Sequence, residues 1–304
     1  MGKVIYIIGP TASGKTDLSI ILAKHFNTEI ISADSRQCYK YLDIGTAKPT
    51  KQQLLEIKHH FIDTFDPTER FTAGMFHKLA YDKINELHYN GKVPIIVGGS
   101  GLYIDSLIHG LQDYCDFDEN LRNRLQRDLK LYGVEYLYNQ LKIVDEEYSL
   151  KVSSNDWRRI LRALEFYYLT NKKFSEITNL PKNQFCNIII NLVWEREELY
   201  QRINKRVDLM MEMGLVEEVR NILKLGYDEN INSLNTVGYK EILSYLKGNI
   251  NLSDAIELIK KNTRNYAKKQ ITFFNKYKEQ AFNFSPQIDN IDKLINFVED
   301  KIIS

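Results

Sequence analysis

Cysteine is scarce in this 304-residue chain: there are three, Cys38, Cys115 and Cys186, far apart and odd in number. This excludes a disulfide framework, and no pair has metal-ligand spacing, so three reduced thiols are expected. Long apolar runs are missing too. No segment approaches the roughly 20 residues that a membrane span needs. The opening MGKVIYIIGPTASGKT begins like a signal peptide, with a Lys before an apolar stretch. That stretch ends at Ile8, and a Gly-rich loop stands where a cleavage site would be, so it reads as a buried strand and the protein as cytoplasmic. Charge of one sign is absent: the net charge is +1, and any signal for a polyanionic partner must be local. Internal repeats and low-complexity segments are lacking as well. What remains is an ordinary globular composition, 43% hydrophobic and 27% charged, long enough for one large domain or two modest ones.

The chain then shows strand, glycine loop and helix twice over. Val4 to Ile8 is a short β-rich run that opens into Gly9, Pro10, Thr11, Ala12, Ser13, Gly14, Lys15 and Thr16. Leu18, Ile21, Leu22 and Phe26 follow at helical spacing. Glu29 to Ser32 is a second short strand. Thr72 to Asn90 is a helix with Thr72 as its N-cap and Gly91 just past its end. Val93 to Val97 is a third strand, followed by Gly98-Gly99-Ser100-Gly101 and another helix. This predicts a parallel α/β sheet. From Asp118 to Lys173 no strand is legible, and Leu121, Leu125 and Leu129 recur at helical spacing, which predicts an all-helical insertion. Asn187 to Trp194 is β in character and rejoins the sheet. Helices are expected from there to the end of the chain: 197–213, 215–225, 237–246 and 252 to about 277.

Gly9 to Thr16 fits G-x-x-x-x-G-K-[ST]. Its glycines let successive N–H groups turn inward toward phosphate oxygens, and the following helix adds its positive end. Lys15 supplies a mobile charge, and the Thr16 hydroxyl is a ligand for Mg²⁺. The motif serves kinases, NTPases and any enzyme whose substrate leaves as diphosphate, so it does not name the reaction. Asp34 lies just past the second strand, on the side where such sheets place their ligand crevice. It reads either as a carboxylate that accepts a proton in that crevice or as a strand-end cap of the next turn.

Ser32 to Gln37 (SADSRQ), Asp43 to Pro49 (DIGTAKP), His59-His60, Pro94 to Tyr103 (PIIVGGSGLY), Asn155-Asp156 with Arg159 to Glu165, Leu199 to Met210, Gly238 to Glu241 and Thr263 to Gln270 resemble, in order, the tRNA dimethylallyltransferase (tRNA isopentenyltransferase) family. The resemblance runs from Lys3 to about Phe274. It implies a P-loop kinase-like parallel-sheet core, residues 1–112 and 188–304, with an all-helical insertion domain, 113–187, that contacts tRNA. It implies transfer of the dimethylallyl group from dimethylallyl diphosphate to N6 of adenosine 37, in the anticodon stem-loop of tRNAs reading codons that start with U. Mg²⁺ is the implied cofactor, and a monomer is expected. An adenylate isopentenyltransferase acting on free AMP, ADP or ATP shares the P-loop and the Asp, but needs neither insertion nor basic helix.

By this resemblance Gly9 to Thr16 hold the diphosphate, Asp34 is the general base, and Asp34, Ser35, Arg36 and Gln37 contact tRNA, with the Gln37 amide suited to a base edge. Ser100 stands where the family usually has threonine and keeps a hydroxyl for substrate or tRNA. Cys38 stands where valine is common. Arg206 lies near the diphosphate. Arg122 and the run Arg158, Arg159, Ile160, Leu161, Arg162 touch tRNA. His59-His60 is expected to be structural. From Glu257 to Glu279 seven basic residues face two acidic ones. Lys261, Arg264 and Lys268 share one helical stripe, expected to contact phosphates.

Overall fold

The computed structural model describes residues 2–110, 118–177 and 185–304. Cys115 and the expected boundary at 112–113 lie outside them. The chain divides into two compact units, Met1–Ile108 with Asn183–Ser304, and His109–Lys182.

The first unit is an α/β sandwich. In chain order it contains β1 (Gly2–Ile8), α1 (Lys15–His25), β2 (Ile30–Ser32), α2 (Lys51–Glu56), β3 (His59–His60), α3 (Ala73–Tyr89), β4 (Ile95–Val97) and α4 (Gly101–His109). The second unit contributes α5 (Glu119–Val144), α6 (Glu146–Lys151) and α7 (Trp157–Thr170). The first unit resumes with β5 (Phe185–Leu192), α8 (Arg196–Glu212), α9 (Leu215–Lys224), α10 (Tyr239–Leu246), α11 (Leu252–Phe274), β6 (Phe282–Phe284) and α12 (Ile291–Ile303). The strands form one sheet in the order β3-β2-β4-β1-β5-β6, and every pairing is parallel.

β1 lies inside the sheet, so both its faces must be dry. Val4 to Ile8 are each fully buried. Ile5 and Ile7 pack on one side with Leu18 and Leu22 of α1 and with Val298 of α12, while Tyr6 and Ile8 join the opposite core with Phe76, Ile104 and Ile259. The chain leaves β1 for β2 on one side, and β5 returns on the other. The carboxyl ends of β1, β2 and β4 therefore border a crevice at the reversal of strand order.

Helix ends follow their residues. Thr72 accepts from Met75 N–H at 3.2 Å and starts α3, and Gly91, at φ 69°, follows its end. Three expectations need correction. β5 begins at Phe185, so the boundary expected at 188 falls inside a strand. The helices expected to fill the C-terminal part are interrupted by β6, and β3 was not foreseen. Both are edge strands of two or three residues, too short to display a period of two.

In the second unit the described residues form helices and loops around Leu125, Leu137, Leu141, Ile160, Leu161 and Leu164. α5 is broken at Gly133, whose φ of 81° and ψ of 174° are not helical. Ile160 and Leu161, expected among the tRNA-touching run, are at most 1% exposed and belong to this core. A run of five consecutive helical residues circles the axis, so it cannot present all its side chains to one partner. Among the described residues no helix is long and apolar enough to cross a membrane.

Candidate active site

A cavity of about 510 Å³ opens at the carboxyl ends of the strands, lined by Thr11 to Thr16, Asp34, Arg206 and Gln270 among others. Its floor is the loop between β1 and α1. Gly14 adopts φ 92°, a left-handed conformation that suits glycine, and no side chain caps the N-terminus of α1. The first-turn N–H groups of α1 are thus left for a ligand, and they carry the positive end of the helix dipole. Among the described residues the fully buried Ser13 hydroxyl has no hydrogen-bond partner, which leaves it able to donate to an anion.

Lys15 donates to the carbonyls of Gly9 at 3.0 Å and Pro10 at 2.6 Å. Burial, and then the neighbouring Arg206, hold its pKa down at about 7, against an opposing pull from Asp34. Arg206 donates to the Thr11 hydroxyl at 3.3 Å, and burial lowers its pKa while Asp34 raises it. Two buried basic groups on one cavity are costly together unless an anion offsets them. The Thr16 hydroxyl lines the same cavity. Among the described residues there is no group of three His, Cys, Asp or Glu that could hold a metal. One hydroxyl, completed by phosphate oxygens and water, fits the hard, water-retaining Mg²⁺ and no thiophilic metal.

Asp34 caps the turn that follows it and also borders the crevice. Its Oδ1 accepts from the N–H groups of Arg36 at 2.8 Å and Gln37 at 3.2 Å, capping the turn. The carboxylate also lines the large cavity and a second one of about 240 Å³. Thr11, Asp34, Thr46, Arg206 and Tyr266 line both cavities, so the two meet at Asp34. The smaller cavity has apolar walls from Ile203, Val207, Met210, Val237 and Ile259. Tyr266, near Asp34 and hydrogen-bonded to Gln270, has its phenol pKa raised by burial and stays a neutral hydroxyl.

The remaining predicted residues divide. Arg36 lines the smaller cavity and donates to the Asn232 carbonyl at 2.7 Å. Ser35 lines it too. Ser100 lines neither cavity: its hydroxyl accepts from Ser35 N–H at 3.0 Å, behind the Asp34 turn. The Gln37 amide is spent on its own loop, donating to Thr46 and Ala47 carbonyls at 3.1 and 3.0 Å. Cys38 is buried in the core. Lys261 and Lys268 are exposed, whereas Arg264 turns toward α8 and donates to Asn204 at 2.5 Å. In the second unit Arg122 and Arg162 flank buried Glu165 at 3.2 and 3.4 Å, Arg158 stacks over Trp157 at 4.4 Å, and Arg159 pairs with Asp156 at 3.4 Å. His60 bonds Glu29 at 2.7 Å, and His59, bonded through Nδ1 to the Ile57 carbonyl, lines the large cavity.

Several residues near the site were not singled out from the sequence. Gln270 accepts from Thr11 N–H at 2.7 Å and donates to the Gly99 carbonyl at 3.0 Å. A Cβ at Gly99 would lie 2.1 Å from that amide nitrogen, which accounts for the glycine. Glu218 of α9 accepts from the N–H groups of Asp43, Ile44 and Gly45 and from the Tyr239 hydroxyl, at 2.6 to 3.1 Å, and so holds the loop that carries Thr46. Buried Lys48 binds the Tyr39 carbonyl, Asp43 and Asp63 from within that loop. No local pattern could have revealed the roles of Gln270 and Glu218, because the backbone groups they hold lie far away in the chain.

The chain was compared with known proteins. The family model described as IPP transferase matches residues 37–277. A tRNA dimethylallyltransferase from Acetivibrio thermocellus is 46% identical over 303 residues, 97% of this chain and 96% of the relative. One from Thermotoga maritima is 44% identical over 280 residues, 92% of each. The crystal structure of the full-length tRNA isopentenylpyrophosphate transferase from Bacillus halodurans superposes with a TM-score of 0.73 at 39% identity, covering 99% of this chain and 97% of that one. A eukaryotic dimethylallyltransferase acting on tRNA gives 0.81 at 31% identity, covering 94% and 74%.

Proposed function

The chain belongs to the IPP transferase family, the tRNA dimethylallyltransferases, and from that premise we propose how its site performs the reaction. The protein is an enzyme that transfers a dimethylallyl group to tRNA. The donor is dimethylallyl diphosphate and the acceptor is N6 of adenosine 37 in tRNAs reading codons that start with U. The products are N6-dimethylallyladenosine and diphosphate.

The meeting of two cavities at Asp34 carries this reading. One side is a polar anion cradle with uncapped helix N–H groups, Lys15 and Arg206. The other is half-apolar, as a reaction between an allylic carbon and an aromatic amine requires. The diphosphate sits on Gly9 to Thr16. The N6 lone pair attacks C1 of the dimethylallyl group, and the C1–O bond breaks with its electron pair going to the bridging oxygen. Lys15, Arg206 and the N-terminus of α1 neutralise the charge that grows there. The lone pair of N6 is conjugated into the ring, so the amine is a poor nucleophile. Asp34 takes the N6 proton as positive charge develops. Mg²⁺, held by Thr16 with phosphate oxygens and water, supplies further stabilisation of the leaving diphosphate when bound.

Ser100, which holds the Ser35 backbone, keeps the Asp34 turn in register. Ser35, Arg36 and Gln37 lie where the nucleotide enters, and exposed Lys261 and Lys268 on α11 give phosphate contacts. The helical unit around Arg122, Arg158, Arg159 and Arg162 grips the tRNA, and the chain acts as a monomer. The base leaves its stack to reach Asp34, as enzymes acting on base atoms require. Incubation with radiolabelled dimethylallyl diphosphate and, in parallel, unmodified tRNA, AMP and ATP is the test. Label should enter tRNA alone; label in AMP or ATP would make it an adenylate isopentenyltransferase.

A further inference from the structure

We infer that Trp194 and Arg202 form a brace that sets the conformation of the phosphate loop through its carbonyls, so that Trp194, which lies off the cavity, is a positioning residue for the diphosphate site. The proposal rests on the reading of Gly9 to Thr16 as the diphosphate cradle. Ala12, at the tip of that loop, has φ of 63°. This is the left-handed region, where an L-residue with a Cβ is penalised and rarely stays without outside support. The support is visible. Arg202 Nε donates to the Ala12 carbonyl at 2.8 Å, and Trp194 Nε1 donates to the Ser13 carbonyl at 3.0 Å. The Arg202 guanidinium lies 4.2 Å from the centre of the Trp194 ring, so each side chain fixes the other.

Together they hold two successive carbonyls, those of Ala12 and Ser13. A trans peptide points its N–H opposite to its carbonyl, so the brace fixes the direction of the N–H groups of Ser13 and Gly14. It also relieves the loop of having to hold Ala12 by its own preference. Arg202 stands on α8 and Trp194 in the short connection between β5 and α8, in the same unit as the loop. Trp194 does not line either cavity, so its effect on an anion must pass through the loop backbone.

The test uses inorganic diphosphate with Mg²⁺ as the probe, measured by calorimetry on the full chain without tRNA. Trp194→Phe keeps a ring beneath Arg202 and removes only the N–H. It should bind diphosphate about five- to tenfold more weakly, the weight of one hydrogen bond in the competent population. Affinity for unmodified tRNA and the thermal midpoint should not move. Ala12→Gly removes the penalty at positive φ, so the Trp194→Phe loss should shrink to about twofold in that background. A merely structural tryptophan would lower the midpoint and tRNA affinity, and glycine at one loop position would not relieve it; that result overturns the brace. So does diphosphate binding unchanged in Trp194→Phe, or an equal loss in both backgrounds. A wild-type protein that fails to bind Mg²⁺-diphosphate would instead remove the diphosphate site itself, and the brace with it.

Discussion

The turn cap made by Asp34 and the general-base role proposed for it are separable, and two substitutions divide them. Asn at position 34 keeps an oxygen able to accept from Arg36 and Gln37 N–H, now 2.8 and 3.2 Å from Oδ1, but it cannot take a proton. Ala removes both functions. Asp34→Asn should therefore fold with a thermal midpoint near that of the wild type and bind tRNA and diphosphate alike. Its transfer should be slower by ~10²–10⁴-fold, the usual contribution of a positioned base, about 3–5 kcal/mol of barrier. Asp34→Ala should show the same chemical loss. It should also lose the two turn hydrogen bonds, together about 1–3 kcal/mol of stability for half-buried donors. Single-turnover transfer at saturating tRNA and donor measures the first effect, and denaturant unfolding of both variants the second. Transfer at the wild-type rate in Asp34→Asn would refute the general-base role. Equal loss of stability in both variants would refute the turn cap.

Lys15, with its pKa held down at about 7, must take up a proton to meet dimethylallyl diphosphate as a cation above that pH. Between about pH 8 and 9, where a phosphate with pKa near 6 is already ionised, affinity should fall roughly tenfold per pH unit, with proton uptake seen by calorimetry in two buffers; pH-independent affinity would count against it. Thr16→Ala should raise the Mg²⁺ concentration needed for half-maximal transfer several-fold, and full activity in excess chelator would discard the metal. Glu218→Gln leaves three backbone N–H groups around a weaker acceptor. It should raise the mobility of the 43–48 loop, read as faster amide exchange there, while Arg220→Gln on the exposed side of α9 should not. Neutralising Lys261, Arg264 and Lys268 to Gln should weaken cognate and non-cognate tRNA equally. It should also flatten the dependence of log affinity on log salt by about 0.7–0.9 for each phosphate no longer neutralised. Since Arg264 already bonds Asn204, the two exposed lysines should account for most of that change; an unchanged slope would leave the stripe a solvated face.

The order of residues alone determined what is local. Val4 to Ile8 running into Gly9 to Thr16 named a buried strand, a glycine loop and a helix start, because each follows from residues adjacent in the chain. Thr72 and Gly91 bounded α3 for the same reason, and Asp34 at a strand end was placed in the crevice by sheet topology. The family was legible too, since its motifs are short and recur in order. Tertiary structure decided everything that depends on pairs distant in sequence. β3 and β6 exist because neighbouring strands offer them an edge, not because two or three residues favour extension. Ile160 and Leu161 left the run expected to touch tRNA because α7 packs that side inward. Asp34 became both a turn cap and part of the cavity wall only when the turn closed back on Oδ1 beside the cavity. Gln270, Glu218, Trp194 and Arg202 hold the site from chain positions well beyond the loops they support. A hydrogen bond is chosen by proximity and direction, which the folded chain supplies and the sequence does not display.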